Sequence, residues 1–317
     1  MPRHLRSAAL ATSALAALLA CKPAGPLPLC IRETAEPSET RSLPPAAWFA
    51  ALLPGYARDT REVAPPARDC TQTVVAWSAA DTCPIASDAA ALPSRPLGPE
   101  DLVFQPVDGD RALLWLVTQR FADGDGLGPA ALIAWTDHGF RVWRIGPLRA
   151  PAANPRMRIE KLGKAEVLLV DAERCAPTGE RCLPLTVVVP VVDRRFTPSP
   201  ILGDGDRCDG PPVIERSRVD DLPLAGSRVR RFELGADVRV DQGALIIDEV
   251  VAVHELDPAA PDEPPVEYRR VTETRTIRLR GAALVADRPP LWPRVLADTG
   301  RVDGAQAAAD LPVPAAR

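Results

Sequence analysis

The chain has 317 residues with 38 basic and 42 acidic side chains, a formal net charge of −4, and only three histidines. That balance, with arginines scattered along the chain instead of gathered into one block, excludes a nucleic-acid binder held by phosphate contacts. Thirty-six prolines, about twice the ~5% usual in proteins, exclude long helices and favour strands joined by proline-bearing loops.

In chain order, Arg3, His4 and Arg6 precede an apolar stretch from Ala8 to Ala20 that is broken only by Thr12 and Ser13. A charged start, a short apolar run and small residues before a cysteine make a secretory signal peptide. The run is well short of the ~20 residues that a membrane-spanning helix needs. The sequence Leu18-Leu19-Ala20-Cys21 resembles the lipobox of bacterial lipoproteins, a resemblance that covers residues 1–21. It implies cleavage after Ala20, a diacylglyceryl group on the Cys21 thiol and a further fatty acid such as palmitate on the new amine. The membrane would be a partner through this lipid, since each buried methylene contributes ~0.8 kcal/mol and two or three chains hold stably. In enterobacterial lipoproteins an Asp after the lipidated cysteine favours inner-membrane retention, so Lys22 points to the outer membrane.

Cleavage leaves 297 residues with 36 basic and 42 acidic side chains, a net charge of −6. Seven cysteines are an odd count for an exported protein, but lipid on Cys21 leaves six: Cys30, Cys70, Cys83, Cys175, Cys182 and Cys208. Three disulfides account for these, in an oxidising compartment. Cys175 and Cys182 enclose Pro177 and Gly179 and read as a clip across the end of a hairpin. The same locality argument pairs Cys70 with Cys83 and leaves Cys30 for Cys208. The spacings and the scarcity of histidine argue against zinc.

The segments divide as a signal peptide at 1–20, a lipidated Pro-rich tether at 21–45, a β-rich body at 46–297 and a disordered tail at 298–317. One helix is expected over 46–53, between Pro44-Pro45 and Pro54-Gly55. Strands are expected at 73–78, 111–121, 130–136, 140–146, 156–161, 165–172, 185–192, 228–234, 237–241, 244–256 and 266–280. Phe140 and Val142, and Met157 and Ile159, alternate with arginines as a sheet with one wet face requires. The last two segments form a long hairpin around the acidic, proline-bearing loop 257–265. A repeat of about 54 residues aligns Leu113–Leu116, Ala131–Ala134 and Phe140 with Val167–Val170, Thr186–Val189 and Phe196. With Asp108-Gly109-Asp110 ahead of its first strand, the stretch 108–202 resembles blades of an integrin-type propeller. The fold class is mainly β: an antiparallel meander forming a sandwich or partly open barrel, with one short N-terminal helix and a propeller-like arrangement as the alternative.

The mature chain offers two histidines for nucleophilic catalysis, His138 in a tight turn with Gly139 and His254 within a strand. Both read as structural. The carboxylate pairs Asp248 with Glu249 and Asp220 with Asp221 are adjacent, so on strands they face opposite ways. Asp204, Asp206 and Asp209 form the best candidate for calcium, although turn formation explains them without a metal. No cofactor is expected. These readings point to a lipid-anchored cell-envelope protein with no evident catalytic activity and a structural or partner-binding role, its protein partner not identified by the sequence. The alternative is an exported carboxylate-dependent hydrolase that binds calcium.

Overall fold

A computed structural model describes residues 27–33, 43–77, 83, 89–175, 182–224, 228–260 and 262–302. Residues 1–26, on which the expected signal peptide and the lipobox-like sequence ending at Cys21 fall, and residues 303–317 lie outside the described residues.

The fold is mainly β. Strand β1 (Cys30–Glu33), helix α1 (Pro45–Leu52) and the small hairpin of β2 (Tyr56–Ala57) and β3 (Glu62–Val63) lead into a large sheet. That sheet continues with β4 (Leu102–Asp108), β5 (Arg111–Leu116), β6 (Gln119–Arg120), β7 (Asp125–Thr136), β8 (Gly139–Pro151), β9 (Ala153–Leu162), β10 (Ala165–Cys175), β11 (Cys182–Val192) and β12 (Arg195–Phe196). Its order is β4-β5-β7-β8-β12-β11-β10-β9. The two ends approach each other, and the Met157 N–H on β9 donates to Gln105 Oε1 on β4 at 2.7 Å. A nearly closed barrel results.

Strict alternation explains why the barrel closes over an apolar interior. Leu113, Trp115, Leu132, Leu148, Met157, Leu168, Val170, Val187, Val189 and Phe196 fill it. The intervening residues point outward and are apolar as well, because both outer faces are covered. On one side Trp48, Phe49 and Leu52 of α1 pack on Leu114, Ile133, Phe140 and Val142, with the Trp48 and Phe140 rings 4.9 Å apart. Pro45 opens this helix, where a missing N–H costs nothing.

On the other side lies a second, seven-stranded sheet. It comprises β13 (Ile201–Leu202), β14 (Cys208–Gly210), β16 (Ser217–Pro223), β17 (Val229–Asp241), β18 (Ala244–Leu256), β19 (Val266–Arg280) and β20 (Ala283–Ala286), while β15 (Val213–Glu215) pairs with β11. Their order is β14-β13-β20-β19-β18-β17-β16. Leu245, Ile247, Ile277 and Leu284 meet Val167, Leu169 and Val188 of the barrel wall. Further along the same face, Phe232, Val251 and Val253 hold helix α2 (Leu291–Val302) through Leu291, Trp292 and Val295.

Several expectations are revised. The chain joins the body before residue 46, because β1 pairs with β8 from Cys30↔Val142 to Glu33↔Gly139. A second helix, α2, covers the start of the segment expected to be a tail. Residues 73–77 contribute one isolated bridge, Val74 to Arg68, because the Asp69 carboxylate captures the N–H groups of Thr71 and Thr73 and folds the chain into a turn. Segments 228–234 and 237–241 are one strand, since β17 pairs without interruption along β18 through Gly235.

The repeat is two four-stranded meanders within one sheet, not separate propeller blades. In sheet order β4-β5-β7-β8 is followed by the reversed series β12-β11-β10-β9, with β8 and β12 parallel at the seam. Phe140 therefore faces outward against α1 while Phe196 faces into the barrel.

The disulfides are Cys30–Cys70, Cys83–Cys208 and Cys175–Cys182. The hairpin clip is as expected, with Cys175 opposite Cys182 at the end of the β10–β11 ladder. The other two pairings exchange partners relative to the sequence reading. β1 lies on β8 while the Asp69–Arg195 ion pair, at 2.6 Å, holds the neighbouring loop to the same sheet, which brings Cys70 to Cys30. Cys83 is thereby left for Cys208 on the second sheet.

Candidate functional site

A cavity of about 350 Å³ lies between one end of the barrel and the inner face of the second sheet. Asp125 at the start of β7, Arg149 near the end of β8 and Arg174 near the end of β10 form its barrel wall. These positions share one end because β7 and β8 run antiparallel with Asp125 opposite Pro151. Opposite them stand Glu249 on β18, Arg275 on β19, Arg218 on β16 and Asp209 on β14, with Trp292 from the first turn of α2.

The inward file of β18 reads Leu245, Ile247, Glu249, Val251, Val253, so one carboxylate interrupts an apolar series. Leu245 and Ile247 belong to the cluster against the barrel, and Val251 and Val253 to the cluster under α2. Glu249 falls between these two cores, where the sheets part. On β19 the neighbouring file contains Arg275, and the two side chains meet diagonally across the ladder, with Arg275 Nη2 donating to Glu249 Oε1 at 3.4 Å. The Leu291 N–H at the start of α2 donates to Glu249 Oε2 at 3.2 Å, a favourable place for a carboxylate.

On the barrel wall, Arg149 Nε donates to Asp125 Oδ2 at 3.2 Å and Arg174 Nη2 to Asp125 Oδ1 at 3.0 Å. The Arg149 guanidinium lies 3.8 Å from the centroid of the Phe121 ring. Burial pushes the carboxyls of Asp125 and Glu249 above their ordinary ranges, against the pull of Arg174 and Arg275 respectively. Burial likewise lowers the Arg275 guanidinium, opposed by Glu249 and then Asp209.

Three of the lining residues each hold one enclosed polar atom with no hydrogen-bond partner among the described residues: Asp209 Oδ2, Arg275 Nε and Trp292 Nε1. The other Asp209 oxygen accepts from Arg207 Nη2 at 3.2 Å. Unmatched buried donors and acceptors are rare in folded proteins and each costs about 1–3 kcal/mol.

Of the residues singled out in the sequence, His138 is exposed in the two-residue turn between β7 and β8. His254 lies on β18 with Nε2 3.8 Å from Glu233 Oε2. Neither borders the cavity. Asp248 and Glu249 do face opposite ways: Asp248 pairs outside with Arg239 and accepts from Thr274 at 2.6 Å, while Glu249 is inside. Asp220 and Asp221 hold Arg218 and Arg231.

The calcium reading of Asp204, Asp206 and Asp209 is not supported by their placement. Asp204 and Asp206 are exposed in a short turn, whereas the Asp209 side chain is 3% exposed and turned to the cavity. Among the described residues the one group with three metal-ligating atoms in close reach is Glu173 with Cys175 and Cys182, whose sulfurs are bonded to each other. Arg149, Arg174, Arg275 and Trp292 were not singled out in the sequence. For Glu249 and Arg275 the signal was there, as charged residues on the apolar side of long alternating strands.

No family model, no curated protein and no solved structure matches this chain.

Proposed function

We propose that the protein is a lipid-anchored component of a bacterial cell envelope, with the outer membrane as its destination, and that its β body serves a structural or partner-binding role. The observation that carries this reading is the cysteine balance: the six cysteines after Cys21 pair with one another, which leaves Cys21 as the one thiol available for lipid. Three disulfides also suit an oxidising compartment. The test is Cys21→Ser in the native bacterium. The substitution should release the protein from membranes and abolish fatty-acid labelling; membrane retention unchanged by it would refute the anchor.

The carboxylates around the cavity favour a second reading, an exported hydrolase. Asp125, Asp209, Glu215 and Glu249 all border it, and two of these titrate above their ordinary ranges. Against it, Asp125 and Glu249 accept from arginines and from a backbone N–H, an arrangement that holds charge in place and leaves little freedom for proton transfer. Binding therefore accounts for the site better than catalysis does. Hydrolysis of aryl glycosides by the purified chain, abolished in Glu249→Gln, would reverse that order.

A further inference from the structure

We propose that the end of the barrel opposite the cavity is a docking face for an anionic bilayer surface. Leu27 and Ile31 meet the interface there, and Arg141, Lys161 and Lys164 meet the phosphate headgroups. This deepens the envelope reading and rests on the anchor at Cys21.

Strand direction builds the face. Asp125, Arg149 and Arg174 mark the cavity end of β7, β8 and β10, so the other end gathers the turns at 109–110, 137–138, 163–164 and 193–194. There the inward files of the barrel stop being apolar. β5 reads Trp115, Leu113, Arg111, β9 reads Met157, Ile159, Lys161, and β10 reads Val170, Leu168, Glu166. Ile31 of β1 stands opposite Arg141, Arg141 opposite Ala134, and Ala134 opposite Arg111, so these four share one row at the rim.

The carboxylates of this row are engaged, whereas three cations are not. Asp108 holds Arg111, and Glu166 accepts from Arg144 Nε at 2.6 Å. Arg141, Lys161 and Lys164 are exposed, and none of them has an ion pair among the described residues. The exposed turn acids Asp137 and Asp193 keep the charge of this end moderate. Such a face does not capture a membrane from solution, but attraction to anionic lipid acts within a Debye length, and a tether brings the surface that close.

The tether leaves from the same end. Arg194, in the turn between β11 and β12, donates to the Leu27 carbonyl. Leu27 is 77% and Ile31 57% exposed. Cys21 stands six residues ahead of Leu27, a span of at most ~20 Å. A second copy docked here face to face would set the three cations against themselves, whereas anionic headgroups complement the cations and the apolar side chains together.

Lysine labelling provides the test, because after cleavage at Ala20 the chain holds three lysines, Lys22, Lys161 and Lys164. The lipidated full chain is reconstituted in vesicles of phosphatidylcholine with about 30% phosphatidylglycerol, treated with a membrane-impermeant acetylating reagent and read by peptide mass spectrometry. Rates are taken relative to a lysine introduced by Glu263→Lys. That position is exposed in the loop after β18, whose other end meets the β9–β10 turn through Gly243 and Gly163, about 40 Å away along the strand. Acetylation of Lys161 and Lys164 should fall at least about fivefold relative to the unlipidated Cys21→Ser chain, and less than about twofold on phosphatidylcholine alone. Flotation with the vesicles but undiminished acetylation would overturn the inference and leave the anchor standing. Failure of the lipidated chain to float would remove the anchor, and the inference with it. Equal protection on both kinds of vesicle would overturn the assignment to anionic headgroups. Slow acetylation of the Cys21→Ser chain that quickens on dilution would assign the face to a second copy instead.

Discussion

Glu249 and Arg275 are each 4% exposed, and neither charge is fully compensated by the other. Removing a carboxylate from water costs several kcal/mol, and hydrogen bonds of 3.4 Å from Arg275 and 3.2 Å from the Leu291 N–H recover only part of that. The consequence can be read as a pH dependence. Because the folded-state pKa of Glu249 lies above its ordinary 4.5, the native state binds the proton more tightly than the unfolded chain does. Between 4.5 and the folded value, stability therefore falls as pH rises. Asp125 acts in the same sense from its ordinary 3.8 upward. Asp108 and Asp248, lowered by their hydrogen bonds to Arg111 and to Thr274, lose their contributions as pH falls below 3.8 and so act in a different window. Above about pH 5, where Glu100 and Glu267, lowered from 4.5, no longer add stability as pH rises, denaturant midpoints should decline in the wild type, and Glu249→Gln should flatten part of that slope. An identical slope in the variant would show that Glu249 titrates normally.

A second residue-scale prediction concerns the seam between the two meanders. A Cβ on Gly146 of β8 would stand 2.2 Å from the Phe196 carbonyl oxygen of β12, a backbone atom that cannot turn aside. Gly146→Ala should cost at least about 2 kcal/mol, since relief requires the strands to part. Gly235 on β17 has open space around the same position, so Gly235→Ala should be neutral or stabilise by up to about 1 kcal/mol. Equal effects in chemical denaturation would mean that the seam is looser than its geometry indicates.

Elements that are distant in sequence are tied unequally. Cys83–Cys208 closes a separation of 125 residues and Cys175–Cys182 one of 7. Loop-closure entropy then gives ~5 kcal/mol for the first and ~2.4 kcal/mol for the second. Replacing Cys83 and Cys208 together by serine should lower the unfolding midpoint about twice as much as replacing Cys175 and Cys182. The reverse order would place the stabilisation in the folded-state geometry. This inequality also marks what could be read from sequence. The strands β7 to β11 and the hairpin β18–β19 were legible because alternation is local and writes itself into every second residue. The pairing of Cys30 with Cys70 and of Cys83 with Cys208 was not, because it depends on which strands become neighbours. Strand β4 was missed because Phe104 and Val107 are exposed and its pattern is weak. The cavity was missed for a related reason: its lining residues come from twelve elements, and only the interruption of apolar files by Glu249 and Arg275 marked it beforehand.

At the scale of the whole molecule, the barrel and the second sheet share one apolar seam, and Cys83–Cys208 bonds a residue ahead of the barrel strands to β14 of the second sheet. The proposed anchor adds a constraint on where this body stands. The Leu29 N–H already donates to the Val142 carbonyl at 2.8 Å, and β1 follows directly in the ladder with β8. From Cys21 to Cys30 the chain can span at most ~30 Å even when fully extended. A lipid on Cys21 would therefore hold this edge of the barrel close to the bilayer, and the exposed side chains of Leu27 and Ile31 lie on the same segment. A fluorophore at position 138, in the exposed β7–β8 turn beside the Glu33↔Gly139 end of β1, should transfer energy efficiently to acceptor headgroups when the lipidated protein is reconstituted in vesicles. Reduction of Cys30–Cys70 should leave that transfer unchanged, because the backbone ladder to β8 holds β1 without the disulfide. Loss of transfer on reduction would assign the attachment to the disulfide instead, and no transfer even in the oxidised protein would rule out a short tether.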